Sequence, residues 1–317
     1  MFQKALQLRE QILRRIPPGS IVPAHTDEGH FYTITAVNDT VPSVTGKLQI
    51  LKDRGLANYN MNRLADYVFE HWKEFTDANL MEHLEKGRKV GQENFEEAGD
   101  IGNEVHETRK KYFDKWIETQ EQPANILDFL DPLQQDKRII SALRGFEKFV
   151  NEHGYTPIVC ELYVYVYNKA YKIGGTLDDI GLIRIERNYS EGETVDPNRR
   201  ACKHDLMANA LNPSNGGCIK CGYSYRYQLV LLDLKTSNQF KDHYYLQVCC
   251  YKWMFGSLTR MRPKKVLIVK VSKDDGTYKL EEVRYTTRLT NYAKNILKIN
   301  DGMDFIKQLR KPATIKL

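Results

Sequence analysis

The second half of the chain alternates strand-like and helix-like stretches in an order that few folds accommodate. Three stretches rich in β-branched and aromatic residues come first, "PIVCELYVYVYN", "AYKIGGTLDDIGLIRIE" and "YRYQLVLLDLK". A helical stretch over about 241–255 then leads to a further strand, "KKVLIVKVS". This order predicts the α/β class, with a mixed central β-sheet flanked by helices. A short turn at residues 168–170 predicts that the first two strands form a hairpin.

The first 153 residues read as mostly helical, apart from residues 20–45, whose Thr, Val and Pro content predicts short extended pieces. Two long helices are predicted there, from about Glu93 to Thr119 and from Pro132 to about His153, with Asp131 as N-cap and Gly154 past the end. The chain therefore divides into a helical N-terminal region (1–92), a core region (93–287) and a C-terminal helix (288–317).

The strand ending "LLDLKTS", residues Leu231–Ser237, carries two charges in an otherwise apolar run. Burying charge is unfavourable unless the charge is paired or used, so Asp233 and Lys235 require an explanation. Alternate residues of a strand share one face, and the two side chains therefore project together. Asp178 lies in the preceding strand, and Gln247 and Tyr251 stand one turn apart on the following helix. These groups are expected to converge on one place.

Two carboxylates and a lysine at the end of a strand suit metal-assisted phosphodiester hydrolysis. Asp178 and Asp233 would hold Mg²⁺ or Mn²⁺, which prefer oxygen ligands. Lys235 would orient or deprotonate the attacking water and stabilise the charge that develops on the phosphate. An exposed ion pair at a strand end is the alternative interpretation of an isolated D-x-K. Asp179 should point away from Asp178, so it is not assigned to the site.

The segments "GTLD", "LLDLKTS" and "LQVCCY" resemble the successive motifs G-x-x-D, D-x-K and Q-x-x-x-Y of the PD-(D/E)xK nuclease superfamily, in its RecB-like branch. "GDIGNEVHE" is similar to the first-helix motif of that branch. "VPSVTGKL" resembles a segment of its phage and mitochondrial genome-maintenance exonucleases. The likeness covers roughly residues 40–272, although the proline of the family's Pro-Asp is absent. It implies a restriction-endonuclease-like core that hydrolyses DNA.

The resemblance also implies roles for particular residues. The catalytic set is Glu161, Asp178, Asp233, Lys235, Gln247 and Tyr251. Asp178 and Asp233 would bind the catalytic Mg²⁺ or Mn²⁺, with His106 as a further ligand. Gln247 and Tyr251 would support the site and contact DNA. Two alternatives stay open: Glu161 could be an edge-strand acid facing solvent, and His106 a helix-surface histidine.

A polar insertion, residues 188–224, contains a second metal-ligand pattern. Its segment "CKHDLMANALNPSNGGCIKCGYS" supplies Cys202, His204, Cys218 and Cys221 as two close ligand pairs. Three cysteines and a histidine at this spacing predict a tetrahedral structural Zn²⁺ site. The alternative is cysteines that merely lie in a loop. A zinc-dependent hydrolase is disfavoured because four protein ligands leave no open position for water.

Composition adds little about partners. The chain has 47 Lys+Arg against 41 Asp+Glu, a net charge of +6 that permits a polyanionic partner. Without a run of about 20 apolar residues, no membrane span is predicted, and an intracellular protein is expected. The basic amphipathic first helix leaves mitochondrial targeting as an alternative. Single-stranded DNA could be bound through charge and stacking by six N-terminal residues, Arg54, Tyr59, Trp72, Lys73, Arg88 and Lys89.

The leading functional prediction is a divalent-metal-dependent exonuclease acting on single-stranded or free DNA ends. Its context would be phage or organellar DNA replication, recombination or repair, with proteins of those processes as further partners. If phage-encoded, it would act in the host cytoplasm. Two alternatives are a structure-specific DNA endonuclease and a non-catalytic nucleic-acid-binding module that keeps the nuclease fold. The presence of all three charged residues, Asp178, Asp233 and Lys235, disfavours the second alternative.

Overall fold

The computed structural model describes residues 2–26, 29–48, 53–76, 78–185, 226–237, 240–284 and 288–298. Helices flank a five-stranded mixed sheet, and a separate three-stranded sheet lies beside it. The predicted α/β class is therefore confirmed. Among the described residues, none of the helices combines the length and apolarity needed to cross a bilayer.

The elements follow one another in an order close to the predicted one. In the first half these are α1 (Phe2–Arg15), β1 (Ile21–Thr26), β2 (Gly29–Ile34), β3 (Asp39–Pro42), α2 (Val44–Lys47), α3 (Asp53–His71), α4 (Leu80–Thr119) and α5 (Lys137–His153). In the second half they are β4 (Thr156–Tyr167), β5 (Lys172–Ile185), β6 (Arg226–Lys235), α6 (Asp242–Thr259), β7 (Lys265–Val271) and β8 (Tyr278–Glu282). Residues 288–298 are also helical.

The central sheet has the strand order β4-β5-β6-β7-β8. β4 and β5 form the predicted hairpin, and the side chain of Asn168 accepts hydrogen bonds from two backbone N–H groups in its turn. β6 and β7 are parallel, and every other neighbouring pair is antiparallel. A parallel pair needs a crossover connection, which α6 provides. The sheet is mixed for this reason.

Two core layers cover the opposite faces of the central sheet. On one face, α1, α6 and the helical residues 288–298 pack over residues such as Leu177 and Leu231. On the other face, α4 and α5 contribute a dense aromatic layer, namely Tyr112, Phe113, Trp116, Phe146 and Phe149. Fully burying one such side chain contributes about 1.5–3 kcal/mol. Cys249 and Cys250 are buried in the first layer, as predicted.

The three-stranded sheet β1–β3 is antiparallel and accounts for the predicted extended pieces over 20–45. It is joined to the hairpin β4–β5 by polar contacts. The hydroxyl of Tyr32 lies 2.8 Å from that of Thr176, and Tyr167 donates a 2.7 Å hydrogen bond to Asp39. A backbone bridge also links Ser43 to Gly174. The small sheet is thereby fixed beside the strand that carries Asp178.

Two predicted helix starts are wrong. α4 begins at Leu80 rather than near Glu93, because packing against α3 extends it by more than three turns. α5 begins at Lys137, and its N-cap is Asp136, whose side chain accepts the N–H of Arg138. Asp131 instead accepts the N–H of Leu133 in a separate turn. The prediction for Gly154 is confirmed, since this residue ends α5 with φ +53°.

Candidate active site

The regular alternation of side chains breaks in β5 at Asp178. Leu177 and Ile180 both belong to the core layer on the α6 side, although residues three apart in a strand should face opposite ways. Asp179 points to the other face, as the sequence predicted, and meets α4. The break places Asp178 where the strand changes face.

The alternation of side chains also breaks in β4, directly opposite Asp178. Cys160 packs in the layer on the α4 side, whereas Leu162 lies in the layer on the α6 side. Glu161 between them has φ +48°, a left-handed conformation that is uncommon for a residue with a side chain. The strand register places position 161 across from position 178. Strained backbone of this kind is concentrated at functional sites, which favours a site role for Glu161 over a simple edge position.

Asp178 lies where β5 and β6 separate. The ladder between these strands ends at the pair Asp179–Leu232, whereas β6 stays paired with β7 as far as Lys235. The Asp178 carboxylate accepts the backbone N–H of Leu234 at 2.7 Å and so takes the place of the missing strand contact. This hydrogen bond fixes one carboxylate oxygen beside the D-x-K segment.

Asp233 is a fully buried carboxylate with an incomplete set of partners. Lys235 Nζ lies 2.6 Å from its Oδ2, and the lysine side chain is 16% exposed. Neither oxygen of Asp233 receives a hydrogen bond of acceptable geometry from the described part of the chain, so the contact is an ion pair. Burial raises the pKa of Asp233 to about 6, with Lys235 opposing the rise and Asp178 adding to it. A buried carboxylate of this kind is a candidate cation ligand.

His106 reaches the same place from α4. Its Nδ1 lies 3.9 Å from Asp178 Oδ2, which is too long for a hydrogen bond. Burial lowers the pKa of His106 to about 4, so the imidazole is neutral at pH 7 and keeps a lone pair. Burial would raise the pKa of Asp178, but His106, Lys235 and Arg109 outweigh it and hold the value below the usual one. An ionised carboxylate beside a neutral imidazole is a plausible pair of cation ligands.

Gln247 and Tyr251 close the site from the α6 side. Gln247 Nε2 donates a 3.1 Å hydrogen bond to the Tyr251 hydroxyl, and both side chains are buried. A Cβ added at Gly175 would lie 2.6 Å from the Tyr251 ring, so only glycine fits there. The glycine of G-x-x-D and the tyrosine of Q-x-x-x-Y are therefore in contact. The burial of the pair suits a supporting position, and its contact with DNA stays a prediction.

Arg109 belongs to the site but was not predicted from the sequence. It lies one turn beyond His106 on α4, is fully buried, and donates a hydrogen bond to Asp179 Oδ2. Its Nη2 lies 4.0 Å from Glu161 Oε1. Burial raises the pKa of Glu161, which the charge of Arg109 opposes. One signal was available: Arg109 falls on the apolar stripe of α4 formed by Val105, Tyr112, Phe113 and Trp116.

The predicted DNA-channel residues lie elsewhere. Tyr59, Trp72 and Lys73 are on or next to α3, Arg88 and Lys89 are on the first turns of α4, and all five side chains are exposed. The side chain of Arg54 is outside the described residues. Arg88 precedes His106 by 18 positions, or about 27 Å along a helix axis. Acidic residues 93, 96, 97 and 100 occupy the intervening stretch. DNA binding by this set stays a prediction.

The chemistry of the donors at the D-x-K strand fits a hard divalent cation, because it combines two carboxylates with a neutral imidazole. Within the described ranges, no group of three or more His, Cys, Asp or Glu side chains is already arranged to hold a metal ion. Side-chain adjustment, including release of Asp233 by Lys235, would have to accompany binding. The predicted Zn²⁺ ligands Cys202, His204, Cys218 and Cys221 lie outside the described residues.

No family model matches the chain. No curated protein is significantly similar to it. Among solved structures, the crystal structure of SSO0001 is similar at 14% sequence identity, over 64% of this chain and 74% of that one, with a TM-score of 0.27. A likeness at that score assigns neither a fold nor a function to this chain.

Proposed function

We propose that the chain is a divalent-metal-dependent DNA nuclease with a restriction-endonuclease-like core of the PD-(D/E)xK type. The observation that carries the proposal is Asp233, a fully buried carboxylate at the end of an apolar strand, paired with Lys235 at 2.6 Å. Asp178 is held next to the same segment through Leu234. This grouping is unfavourable for folding and is explained by a use in binding and catalysis.

Asp178 and Asp233 would hold Mg²⁺ or Mn²⁺, with His106 as the nitrogen donor nearest to them. A bound cation of this type lowers the pKa of a water molecule and neutralises charge on phosphate oxygens. Both carboxylates are ionised at neutral pH, although for different reasons. For Asp178, the surrounding positive charge and the Leu234 N–H achieve this. Asp233, with a pKa of about 6, is mostly ionised at pH 7.

Lys235 would orient the attacking water and stabilise the charge that develops on the phosphate. Burial lowers the pKa of its ammonium, but Asp233 and Asp178 outweigh that effect and raise the pKa above the ordinary value. The side chain is therefore protonated at neutral pH and unsuited to remove a proton. Donation of a charged hydrogen bond to the water or to a phosphate oxygen is the role that its charge supports.

Within the nuclease class, we propose an exonuclease acting on single-stranded or free DNA ends inside a cell, in DNA replication, recombination or repair. This step rests on the resemblance of "VPSVTGKL" and the later motifs to phage and mitochondrial exonucleases. The test is a panel of end-labelled single-stranded, end-labelled double-stranded and closed circular DNA with Mg²⁺ or Mn²⁺. Digestion of linear but not circular DNA is expected. Cutting of closed circles would establish an endonuclease instead.

Cation binding should stabilise the folded protein in a pH-dependent way. The pKa of Asp233 is raised to about 6 from the ordinary 3.8. Its stabilising contribution is therefore complete below pH 3.8 and lost as the pH rises through 6, where the buried charge forms. Mg²⁺ at 100 times its Kd should add about 2.7 kcal/mol to the free energy of unfolding at pH 7.5. Calorimetric melting with and without Mg²⁺ should show a smaller gain at pH 5, and equal gains would contradict this assignment.

The insertion should contain one structural Zn²⁺ ion per chain. Elemental analysis of the purified protein is expected to find zinc near one equivalent, because Cys202, His204, Cys218 and Cys221 would supply the four ligands of a tetrahedral site. Cys218→Ser should lose most of this zinc. Cys249→Ser, a buried cysteine of the core layer on the α6 side, is the matched control and should keep it. Unchanged zinc in Cys218→Ser would refute the site.

A further inference from the structure

We propose that Tyr244 is a positioning residue for Lys235, holding its ammonium in place once a divalent cation binds Asp233. The proposal rests on the nuclease function proposed above. Lys235 is the last residue of β6, and Tyr244 lies in the first turn of α6. The Lys235 ammonium lies 5.0 Å from the centroid of the Tyr244 ring.

The Tyr244 ring is itself fixed from several sides. Its hydroxyl donates a 3.1 Å hydrogen bond to Ser237 Oγ, just beyond the end of β6. The ring packs against the core layer on the α6 side and meets the His243 ring edge-on at 4.5 Å. Its backbone N–H bonds to the carbonyl of Lys241 at the start of the helix. The aromatic face is thus held rigidly toward the strand end.

Lys235 interacts with the carboxylates of Asp233 and Asp178 as well as with the Tyr244 ring, and cation binding competes for the carboxylates. The nearest is Asp233 Oδ2 at 2.6 Å. A Mg²⁺ ion held by the Asp233 carboxylate would neutralise its negative charge and repel the ammonium. The cation on Asp233 does not compete for the Tyr244 ring, because the ring attracts the Lys235 ammonium through the electron density of its π face. Among these described partners, the ring is the one whose attraction a cation on the carboxylates leaves unchanged.

Substitutions separate the ring from the hydroxyl. Tyr244→Leu should lower kcat about tenfold with little change in KM, because Lys235 loses the contact for which the cation does not compete. Tyr244→Phe keeps the ring and should stay within about twofold of the wild type. Tyr245→Leu makes the same change at the neighbouring position in the same core layer, where no described lysine lies over the ring, and is the control. Equal kcat values for Tyr244→Leu and Tyr245→Leu would overturn the proposal.

A measurement independent of turnover tests the contact itself. In protein labelled with ¹³C at lysine Cε, the Lys235 methylene protons should resonate upfield of those of exposed lysines, because they lie over a ring; Lys235→Met identifies the signal. With saturating Mg²⁺ the signal should move, because the ammonium loses the charge of Asp233, but it should stay upfield of exposed lysines. The upfield shift should survive in Tyr244→Phe and disappear in Tyr244→Leu. Loss of the shift on adding Mg²⁺ to the wild type would overturn the proposal. A Lys235 signal that lies upfield but does not move at all when Mg²⁺ is added would instead refute the cation site.

Discussion

Arg109→Met is expected to lower the free energy of unfolding by about 3–5 kcal/mol, because it leaves the Asp179 carboxylate buried without its partner. Both side chains are fully buried and directly bonded. Part of the pair is already incompletely satisfied, since within the described residues Arg109 Nε and Nη2 donate no hydrogen bonds and Asp179 Oδ1 accepts none. Urea denaturation followed by circular dichroism measures the loss.

Two further variants decide whether the lost partner is the cause. The double variant Arg109→Met/Asp179→Leu removes both charges and should recover most of the stability, because apolar residues of similar volume often replace a buried ion pair without loss. Arg138→Met is the matched control. Its guanidinium pairs with Asp136 and Glu97 but is 42% exposed, so the loss should stay below about 1 kcal/mol. Equal losses for Arg109→Met and Arg138→Met would contradict the assignment.

Lys235→Met is expected to lower the rate of DNA hydrolysis by about 10²–10³-fold while leaving Mg²⁺ or Mn²⁺ binding intact. The reason is that the ammonium stabilises developing charge and is not a cation ligand. Asp233→Asn should lose both DNA hydrolysis and cation binding, since it removes a carboxylate from the cation site. Single-turnover kinetics and Mn²⁺ titration followed by electron paramagnetic resonance separate the two effects.

Lys270→Met supplies the matched control for Lys235→Met. Lys270 is the register partner of Lys235 on the neighbouring parallel strand β7, so the same substitution is made at the same level of the sheet. The turnover of Lys270→Met should stay close to that of the wild type. A Lys235→Met variant that is as active as Lys270→Met would remove Lys235 from the mechanism.

The strands could be predicted because their signals are local. Runs such as "KKVLIVKVS" have β-branched content that few other structures use, and the turn at Asn168 is evident from its residues. The starts of α4 and α5 could not be predicted in the same way. Asp131 and Asp136 are both suitable N-caps, and each accepts a backbone N–H two residues on, so the local sequence does not distinguish the turn at Asp131 from the helix start at Asp136.

The candidate site was predictable where two charges stood in an apolar strand, as at Asp233 and Lys235. The break in alternation was also present in the sequence, since Leu177 and Ile180 are apolar and three apart, but a period-two pattern does not reveal which residue lies at the break. The place of Arg109 in the site was harder still to predict from the sequence. Its partner Asp179 is 70 positions away, and burial of the pair depends on how α4 packs on β5.

The most direct measurement of the central claim is cleavage of end-labelled single-stranded DNA by the purified wild-type chain, alongside Asp178→Asn and Asp233→Asn prepared identically. The wild type should release labelled products with Mg²⁺ or Mn²⁺ and none with a chelator, because the carboxylates act through a divalent cation. Both variants should be inactive while retaining the circular dichroism spectrum of the wild type. Equal cleavage by all three proteins, or by the wild type in the chelator, would contradict the assignment of this site to metal-dependent DNA hydrolysis.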